Sequence, residues 1–318
     1  MPTILDGNHV RDRILRDLRP RVAALAAAWR PPGLAVVLVG NDPGSQIYVR
    51  NKVKACAELG IASQSLTPPA TIATEELLEV VEGLNQRPDI DGILVQLPLP
   101  PQVDTRRVLL AVAPEKDVDG FHPMNVGNLV AGRPGPRPCT PAGIMELLRQ
   151  YQIPVAGKRA VVVGRSDIVG KPMALLLLHA NATVTICHSR TADLAGVCRE
   201  GEILVAAMGR PAMLTADFIR PGAVVVDVGM NRITDRAEAA RIFRNSPERL
   251  ATLERKGSVL VGDVDPLAML EESSAYTPVP GGVGPLTIAM LMSNTVTAAE
   301  TQASPRPALR ANFPQTGL

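Results

Sequence analysis

Apolar residues recur every three to four positions at Val10, Ile14, Leu15, Leu18, Val22 and Leu25, which predicts a helix with one buried face. Pro20 falls inside that run and predicts an interruption or a bend. Leu34–Val39 is unbroken and aliphatic, the pattern of a strand buried on both faces of a parallel sheet. Ser45 is expected to cap a helix running to Leu59, with Gly60 ending it. Thr71–Leu84 reads as a further helix, and Ile93–Leu97 as a strand stopped by Pro98 and Pro100.

From Ala113 to Pro141 the chain turns rich in glycine and proline, which marks a crossing into a second domain. Thr140-Pro141 reads as a helix start, a cap followed by proline in the first turn. Strands are then expected at Arg159–Val163, Thr183–Cys187, Ile203–Ala206 and Ala223–Val228. Helical connections are expected near Lys171–Ala180, Ala192–Arg199 and Thr215–Ile219. This alternation implies a parallel sheet with helices on both faces. Charged residues 232–256 break the rhythm and read as a surface insertion with a short helix carrying Ile242, Phe243, Leu250 and Leu253. The glycine-rich loop Gly281–Pro285 precedes a helix near Thr287–Thr301, and 304–318 is expected to be a disordered tail.

A length of 318 residues suits two domains. Hydrophobic residues make up 46% and aromatics only 3%, so both cores must be largely aliphatic. The formal net charge of +2 comes from interspersed residues, which argues against nucleic-acid and membrane partners. Cys56, Cys139, Cys187 and Cys198 form no CxxC pair, and the histidines lack metal-ligand spacing, so the cysteines read as buried thiols and no metal is expected. The apolar stretch Met173–Ala180 is too short to span a bilayer, and no signal-peptide pattern opens the chain, so the expected location is the cytoplasm.

Val161-Val162-Val163-Gly164-Arg165-Ser166-Asp167-Ile168-Val169-Gly170-Lys171-Pro172 reads as strand, small-residue turn and helix start. A dinucleotide needs such a turn, because backbone must approach its pyrophosphate and the helix N-terminus supplies N–H donors. Ser166 replaces the second glycine of GxGxxG and the last glycine comes one residue late, so an ordinary tight turn also fits. The following strand ends Cys187-His188-Ser189-Arg190, with no carboxylate for a ribose 2′-hydroxyl. Ser189, Arg190 and Arg165 suit a 2′-phosphate, which implies NADP; singly, each arginine also reads as surface charge.

Tyr48 and Lys52 stand four apart on the predicted helix and so share a face; alone, the pair also reads as amphipathic surface. Gln96 sits at the carboxyl end of a strand, where ligands gather in parallel sheets. Asp119, before Gly120 in the interdomain loop, reads either as a ligand carboxylate or as a turn former.

Tyr48-Val49-x-x-Lys52, Gly92–Pro100, Pro114–Gly120, Pro138–Pro141, Gly164–Ser166 and Pro278–Pro285 occur in that order. Together they resemble the bifunctional methylenetetrahydrofolate dehydrogenase/cyclohydrolase family, over nearly the whole chain from Leu5 to Thr301. The resemblance implies an α/β fold of two domains, an N-terminal α/β catalytic domain and a Rossmann-type parallel-sheet NADP-binding domain, with a cleft between them. The folate-binding domain would comprise 1–137 with 286–303, and the NADP domain 138–285. The implied chemistry is hydride transfer from 5,10-methylenetetrahydrofolate to NADP⁺, then hydrolysis of the methenyl cation to 10-formyltetrahydrofolate, in one-carbon metabolism and purine biosynthesis.

Lys52 matches the family's catalytic lysine, Tyr48 its aromatic neighbour, Gln96 the lysine's partner and Asp119 the pterin-binding carboxylate. Gly164, Arg165, Ser166, Ser189 and Met230 match NADP contacts. Pro280, Gly281 and Gly282 match the segment lining the cleft. A homodimer formed through the nucleotide domain is also implied. The chain departs from the family in the length of 232–256, which follows Met230 and Asn231 and would bear on the cofactor rim or a subunit contact. Two other readings share parts of the pattern: a shikimate-dehydrogenase-like NADP enzyme, and a catalytically silent NADP-binding sensor or scaffold. Neither explains Tyr48, Lys52, Gln96 and Asp119 together.

Overall fold

The computed structural model describes residues 1–303; the tail expected at 304–318 lies outside the described residues. The chain runs β1 (Thr3–Ile4), α1 (Gly7–Ala28), β2 (Gly33–Val37), α2 (Pro43–Leu59), β3 (Ala62–Leu66), α3 (Thr74–Asn85), β4 (Gly92–Val95), α4 (Thr105–Ala111), α5 (Pro123–Val130) and α6 (Cys139–Gln150). It continues β5 (Arg159–Val163), α7 (Gly170–His179), β6 (Thr183–Cys187), α8 (Leu194–Arg199), β7 (Ile203–Ala206), β8 (Ala223–Asp227) and β9 (Asn231–Ile233). The last elements are α9 (Arg236–Ile242), α10 (Pro247–Lys256), β10 (Val259–Val261), α11 (Pro266–Glu272), β11 (Ser273–Tyr276) and α12 (Gly284–Ala303).

Two parallel sheets organise these elements. The smaller has the order β3-β2-β4. Its central strand is buried at every residue because it feeds two cores. Leu34 and Val36 pack with Val10, Ile14 and Leu18 of α1 and with Met292 and Val296 of α12. Ala35 and Val37, pointing to the other side, pack with Leu77 and Val81 of α3. The larger sheet has the order β1-β11-β8-β7-β5-β6. In β5 the alternation repeats: Val161 and Val163 enter one core, Ala160 and Val162 another.

The chain crosses between the sheets more than once. β1 pairs with β11 of the larger sheet, whereas α1 packs beneath the smaller one. The segment Asp119–Pro138 crosses again. After β11 the chain returns through Gly281–Gly284 into α12, which packs on α1, α2 and α6.

Several expectations from the pattern need correction. Pro20 lies inside an unbroken 22-residue helix. The α2 cap is Asp42, whose carboxylate accepts the Ser45 N–H at 2.7 Å, with Pro43 in the first turn; Ser45 is buried inside the helix. Helix α6 starts at Cys139 behind Pro138, and the Thr140 hydroxyl meets the Thr287 hydroxyl of α12 at 2.9 Å instead of capping. The strand expected to end at Leu97 ends at Val95, and residues 216–218 form only one 3₁₀ turn. The insertion holds two helices, not one. They are closed off by antiparallel pairing of β9 with β10 around a small core of Ile233, Ala239, Ile242, Phe243, Leu253 and Val259.

Candidate active site

Lys52 falls in the buried stripe of α2, with Val49, Ala55, Cys56 and Leu59, and is 8% exposed. A lysine on that stripe keeps its amine inside the protein and needs an acceptor there. Gln96 supplies one: Lys52 Nζ donates to Gln96 Oε1 at 2.9 Å. Gln96 follows β4 directly, and its N–H still bonds the Val37 carbonyl at 2.8 Å. Its side-chain amide is held in turn by a 2.7 Å bond from Nε2 to the Leu97 carbonyl. That bond fixes which end of the amide faces the lysine.

Asp119 reaches the same place from the crossing segment. Residues 116–118 lie beside β4, where Ile93 N–H donates to the Lys116 carbonyl at 2.8 Å. The Lys116 ammonium anchors that segment on the Asn85 and Arg87 carbonyls, each at 2.7 Å. The Asn294 amide of α12 holds the Val118 carbonyl at 2.8 Å. The turn itself is made by Asp117, which accepts from Gly120 N–H, His122 N–H and the Asn125 amide. The turn-forming role open to Asp119 therefore belongs to its neighbour two residues earlier. The Asp119 carboxylate has no hydrogen-bond partner among the described residues. Desolvation pushes it up to about 7, the Lys52 charge draws it down and Asp117 adds to the rise.

Tyr48, one turn before Lys52, lies off the buried stripe and is 42% exposed. Its hydroxyl lies 3.6 Å from Met230 Sδ, so it bridges α2 to the segment after β8. Met230 Sδ in turn packs against Gly284. A cavity of about 630 Å³ opens here, lined by Tyr48, Asn51, Met230, Asn8, Arg11 and the loop Pro278–Pro285. Pro280, Gly281 and Gly282 line it as expected. Lys52, Gln96 and Asp119 do not; Tyr48 is the member of the group on its wall. Gly281 has φ +109°, and its carbonyl accepts the Gly7 N–H at 2.9 Å. Asn8 and Arg11 on the cavity wall had no signal in the sequence, because only this loop's return to the start of α1 brings them near.

The dinucleotide turn has tight backbone packing. A Cβ on Gly164, whose φ is +133°, would lie 2.1 Å from the Ala207 carbonyl oxygen. A Cβ on Gly170 would lie 2.2 Å from the Gly164 carbonyl oxygen. Both glycines thus serve close approach, although the spacing is one residue longer than usual. The Ser166 hydroxyl accepts from Val169 N–H at 3.2 Å and Gly170 N–H at 3.3 Å, occupying the start of α7. The Gly164 N–H bonds the Cys187 carbonyl at 2.9 Å, which sets the turn beside the end of β6. Ser189, Arg165 and Arg190 are exposed there, and neither arginine has an ion-pair partner among the described residues. A glycine cradle, a helix start and two uncommitted guanidinium groups fit a phosphorylated dinucleotide.

Nothing in the residue pattern marks Asp263, which is fully buried. Its carboxylate accepts from the N–H groups of Met208, Gly209 and Arg210, at 2.6, 3.0 and 2.8 Å, and from the Asn231 amide at 2.9 Å. It therefore fixes the loop after β7, the loop that includes the Ala207 carbonyl against Gly164. All four cysteines are free and buried. No helix of the described residues is long and apolar enough to cross a membrane.

Comparison with known proteins agrees with this geometry. The tetrahydrofolate dehydrogenase/cyclohydrolase catalytic domain family matches residues 5–119, and the corresponding NAD(P)-binding domain family matches 138–303. The chain is 69% identical over 303 residues to the bifunctional protein FolD of Solibacter usitatus, covering 95% of this chain and 99% of the relative. It is 63% identical over 300 residues to that of Koribacter versatilis, covering 94% and 97%. Among solved structures, the bifunctional FolD of Campylobacter jejuni superposes with a TM-score of 0.86 at 42% identity, covering 95% of this chain and 100% of that one. The Trypanosoma brucei methylenetetrahydrofolate dehydrogenase-cyclohydrolase, solved with NADP and an inhibitor, gives 0.86 at 38% identity, covering 96% and 99%. Two domains matched in order, two parallel sheets and the buried lysine on α2 lead to one conclusion: the chain belongs to the tetrahydrofolate dehydrogenase/cyclohydrolase family.

Proposed function

We propose that the protein oxidises 5,10-methylenetetrahydrofolate to the 5,10-methenyl cation with NADP⁺ and then hydrolyses that cation to 10-formyltetrahydrofolate. The observation that carries the second activity is the 2.9 Å bond from Lys52 Nζ to Gln96 Oε1 beside Asp119. It favours a working hydrolytic site over a silent NADP sensor, which needs no buried amine there, and a dehydrogenase of the shikimate type does not account for Tyr48, Lys52, Gln96 and Asp119 together.

NADP⁺ supplies the hydride acceptor. Gly164, Arg165, Ser166, Ser189, Arg190 and Met230 would hold it, with the two arginines and Ser189 on the 2′-phosphate. Pro280, Gly281 and Gly282 bring backbone close to the flat rings, and the protein's part in hydride transfer is chiefly orientation. Asp119, when ionised, accepts from the pterin's N–H groups. Tyr48 stacks on the folate. In the hydrolytic step Lys52 exchanges a proton between the attacking water and the ring nitrogen, held in line by Gln96.

The working units would be 1–137 with 286–303 for folate and 138–285 for NADP, β1 being lent to the second. The protein would act as a homodimer joined through the nucleotide unit, in the cytoplasm. The test gives purified protein methylenetetrahydrofolate with NADP⁺ and, separately, with NAD⁺, while methenyl absorbance is followed. No methenyl formation with either cofactor sinks the dehydrogenase reading. Lys52→Met should abolish methenyl hydrolysis, a loss of about 10²–10⁴-fold, and keep part of hydride transfer; unchanged hydrolysis would assign the step to another residue.

A further inference from the structure

The insertion 232–256 reaches the cleft through one side chain. Arg249 of α10 is half-buried, and its guanidinium lies 4.8 Å from the centre of the Phe243 ring. Its Nη2 donates to the Leu260 carbonyl of β10, the strand that closes the insertion, and to the Val279 carbonyl beyond it, the latter at 3.0 Å. Val279 precedes Pro280 in the loop that lines the cleft. One nitrogen thus joins the insertion to that loop.

The Phe243 and Leu260 contacts serve the insertion's own packing; the Val279 contact does not. The insertion's apolar core is Ile242, Phe243 and Leu253, closed by Val259 of β10. Its surface has a separate ion pair, Arg236 to Glu254 at 3.0 Å, which touches no part of the cleft. Desolvating a guanidinium is costly, and an exposed arginine on α10 would avoid that cost. The planar fork, stacked on Phe243, arrives with its orientation fixed, so little freedom is lost when it meets the Val279 carbonyl.

We propose that Arg249 is a positioning residue and that the insertion is a brace for the loop Pro278–Val283, holding the backbone of Pro280 and Gly281 where substrate and cofactor meet. The inference rests on the proposed function for its kinetic consequence but not for its structural one. Loops that line a site act through where they place it, and a small displacement of such a wall costs orientation as well as binding.

The experiment compares wild type, Arg249→Met, Arg249→Lys and, as a control within the insertion, Arg236→Ala. Hydrogen–deuterium exchange is read on the peptide spanning Pro278–Pro285, and KM and kcat for methylenetetrahydrofolate and NADP⁺ are measured on the same preparations. Arg249→Met should speed exchange of the loop amides roughly tenfold, as expected for loss of one charge-assisted bond. It should lower kcat/KM for methylenetetrahydrofolate and NADP⁺ by a similar factor. Lysine should restore part of both, and Arg236→Ala should leave both at wild-type values. Unchanged loop exchange in Arg249→Met overturns the brace. Faster exchange with unchanged kcat/KM overturns its service to the site. A wild-type protein with no dehydrogenase activity would sink the proposed function, and the exchange arm would still decide the brace.

Discussion

Gln96→Met isolates the acceptor that holds the buried amine. Methionine is unbranched and close to glutamine in length, so the cavity left behind is small. The variant loses the 2.9 Å acceptor of Lys52 Nζ and the 2.7 Å tether to the Leu97 carbonyl. Hydrogen bonds to charged groups contribute about 1.5–3 kcal/mol. Lys52 is 8% exposed, so water entering from the cleft recovers part of that, and about 2 kcal/mol is the working figure. At about 1.4 kcal/mol per power of ten, the hydrolysis rate constant should fall roughly 30-fold. Hydride transfer, which depends on cofactor placement, should fall much less.

The two steps are separable in the cuvette. Methenyltetrahydrofolate supplied directly, with the uncatalysed decay subtracted, reports hydrolysis alone; NADPH formation reports the first step. For hydrolysis, the double variant Gln96→Met with Lys52→Met should be no worse than Lys52→Met alone, on the proposal that the glutamine's part in that step runs through the lysine. Equal losses in both activities, or additive losses in the double variant, would refute this account and make Gln96 a folate-binding group in its own right.

Asp119 should impose a pH limb on folate use. Its folded pKa, about 7, lies above the ordinary carboxylate value of 3.8, so the carboxyl is neutral below about pH 7 and ionised above it. The sign for stability is opposite to that of a salt-bridged carboxylate: its contribution is full below the ordinary value and is lost as pH rises through the folded one. Activity should run the other way, kcat/KM for methylenetetrahydrofolate rising with pH toward a plateau above 7; a pH profile of Asp119→Asn that keeps the same limb would assign it elsewhere. Gly164→Ala places a methyl 2.1 Å from the Ala207 carbonyl oxygen at φ +133°, which should cost about 1–3 kcal/mol through backbone strain and weaken NADP⁺ binding. Thermal melting with and without NADP⁺ checks it, and an unchanged ligand-induced shift would contradict it. Burial pushes the Cys56 and Cys198 thiols up to about 12, so both should resist a thiol reagent at pH 8 until the protein is denatured; rapid labelling of the native protein would contradict their burial.

What the sequence disclosed follows from burial. Strands β2, β5, β7 and β8 are aliphatic runs because both faces are covered, and such runs stand out. Strand β3, Ala-Ser-Gln-Ser-Leu, is an exposed edge and reads as polar linker; β1 has two residues and depends on β11 for its identity. Helix α5, with glycine and two asparagines, begins at a proline and hides in a loop-like composition. The site was legible in types, not in contacts. Lys52 and Gln96 are 44 positions apart, and nothing in their spacing announces a 2.9 Å bond. Arg249 and Asp263 were silent because each works through carbonyls or amides of another segment, which leave no mark on residue type.

The strand β1 has a consequence for motion. The chain passes between the two sheets just after Ile4, through Asp119–Pro138 and through Gly281–Gly284, and the first of these passages is locked by Leu5 N–H on the Tyr276 carbonyl at 2.7 Å. Sliding one half along the other would strip β1 from β11 and break the Gly7 bond to Gly281. Rotation close to these crossings would leave both intact. The crossings therefore resist sliding more than rotation, and the Tyr48–Met230 contact spans the two halves. It also follows that the halves are not beads on a string: cutting at the Asp119–Pro138 passage would leave the smaller sheet without α12 and the larger without its edge strand, and would divide the core in which Val10, Leu34 and Leu94 pack with Leu147, Leu286 and Met292.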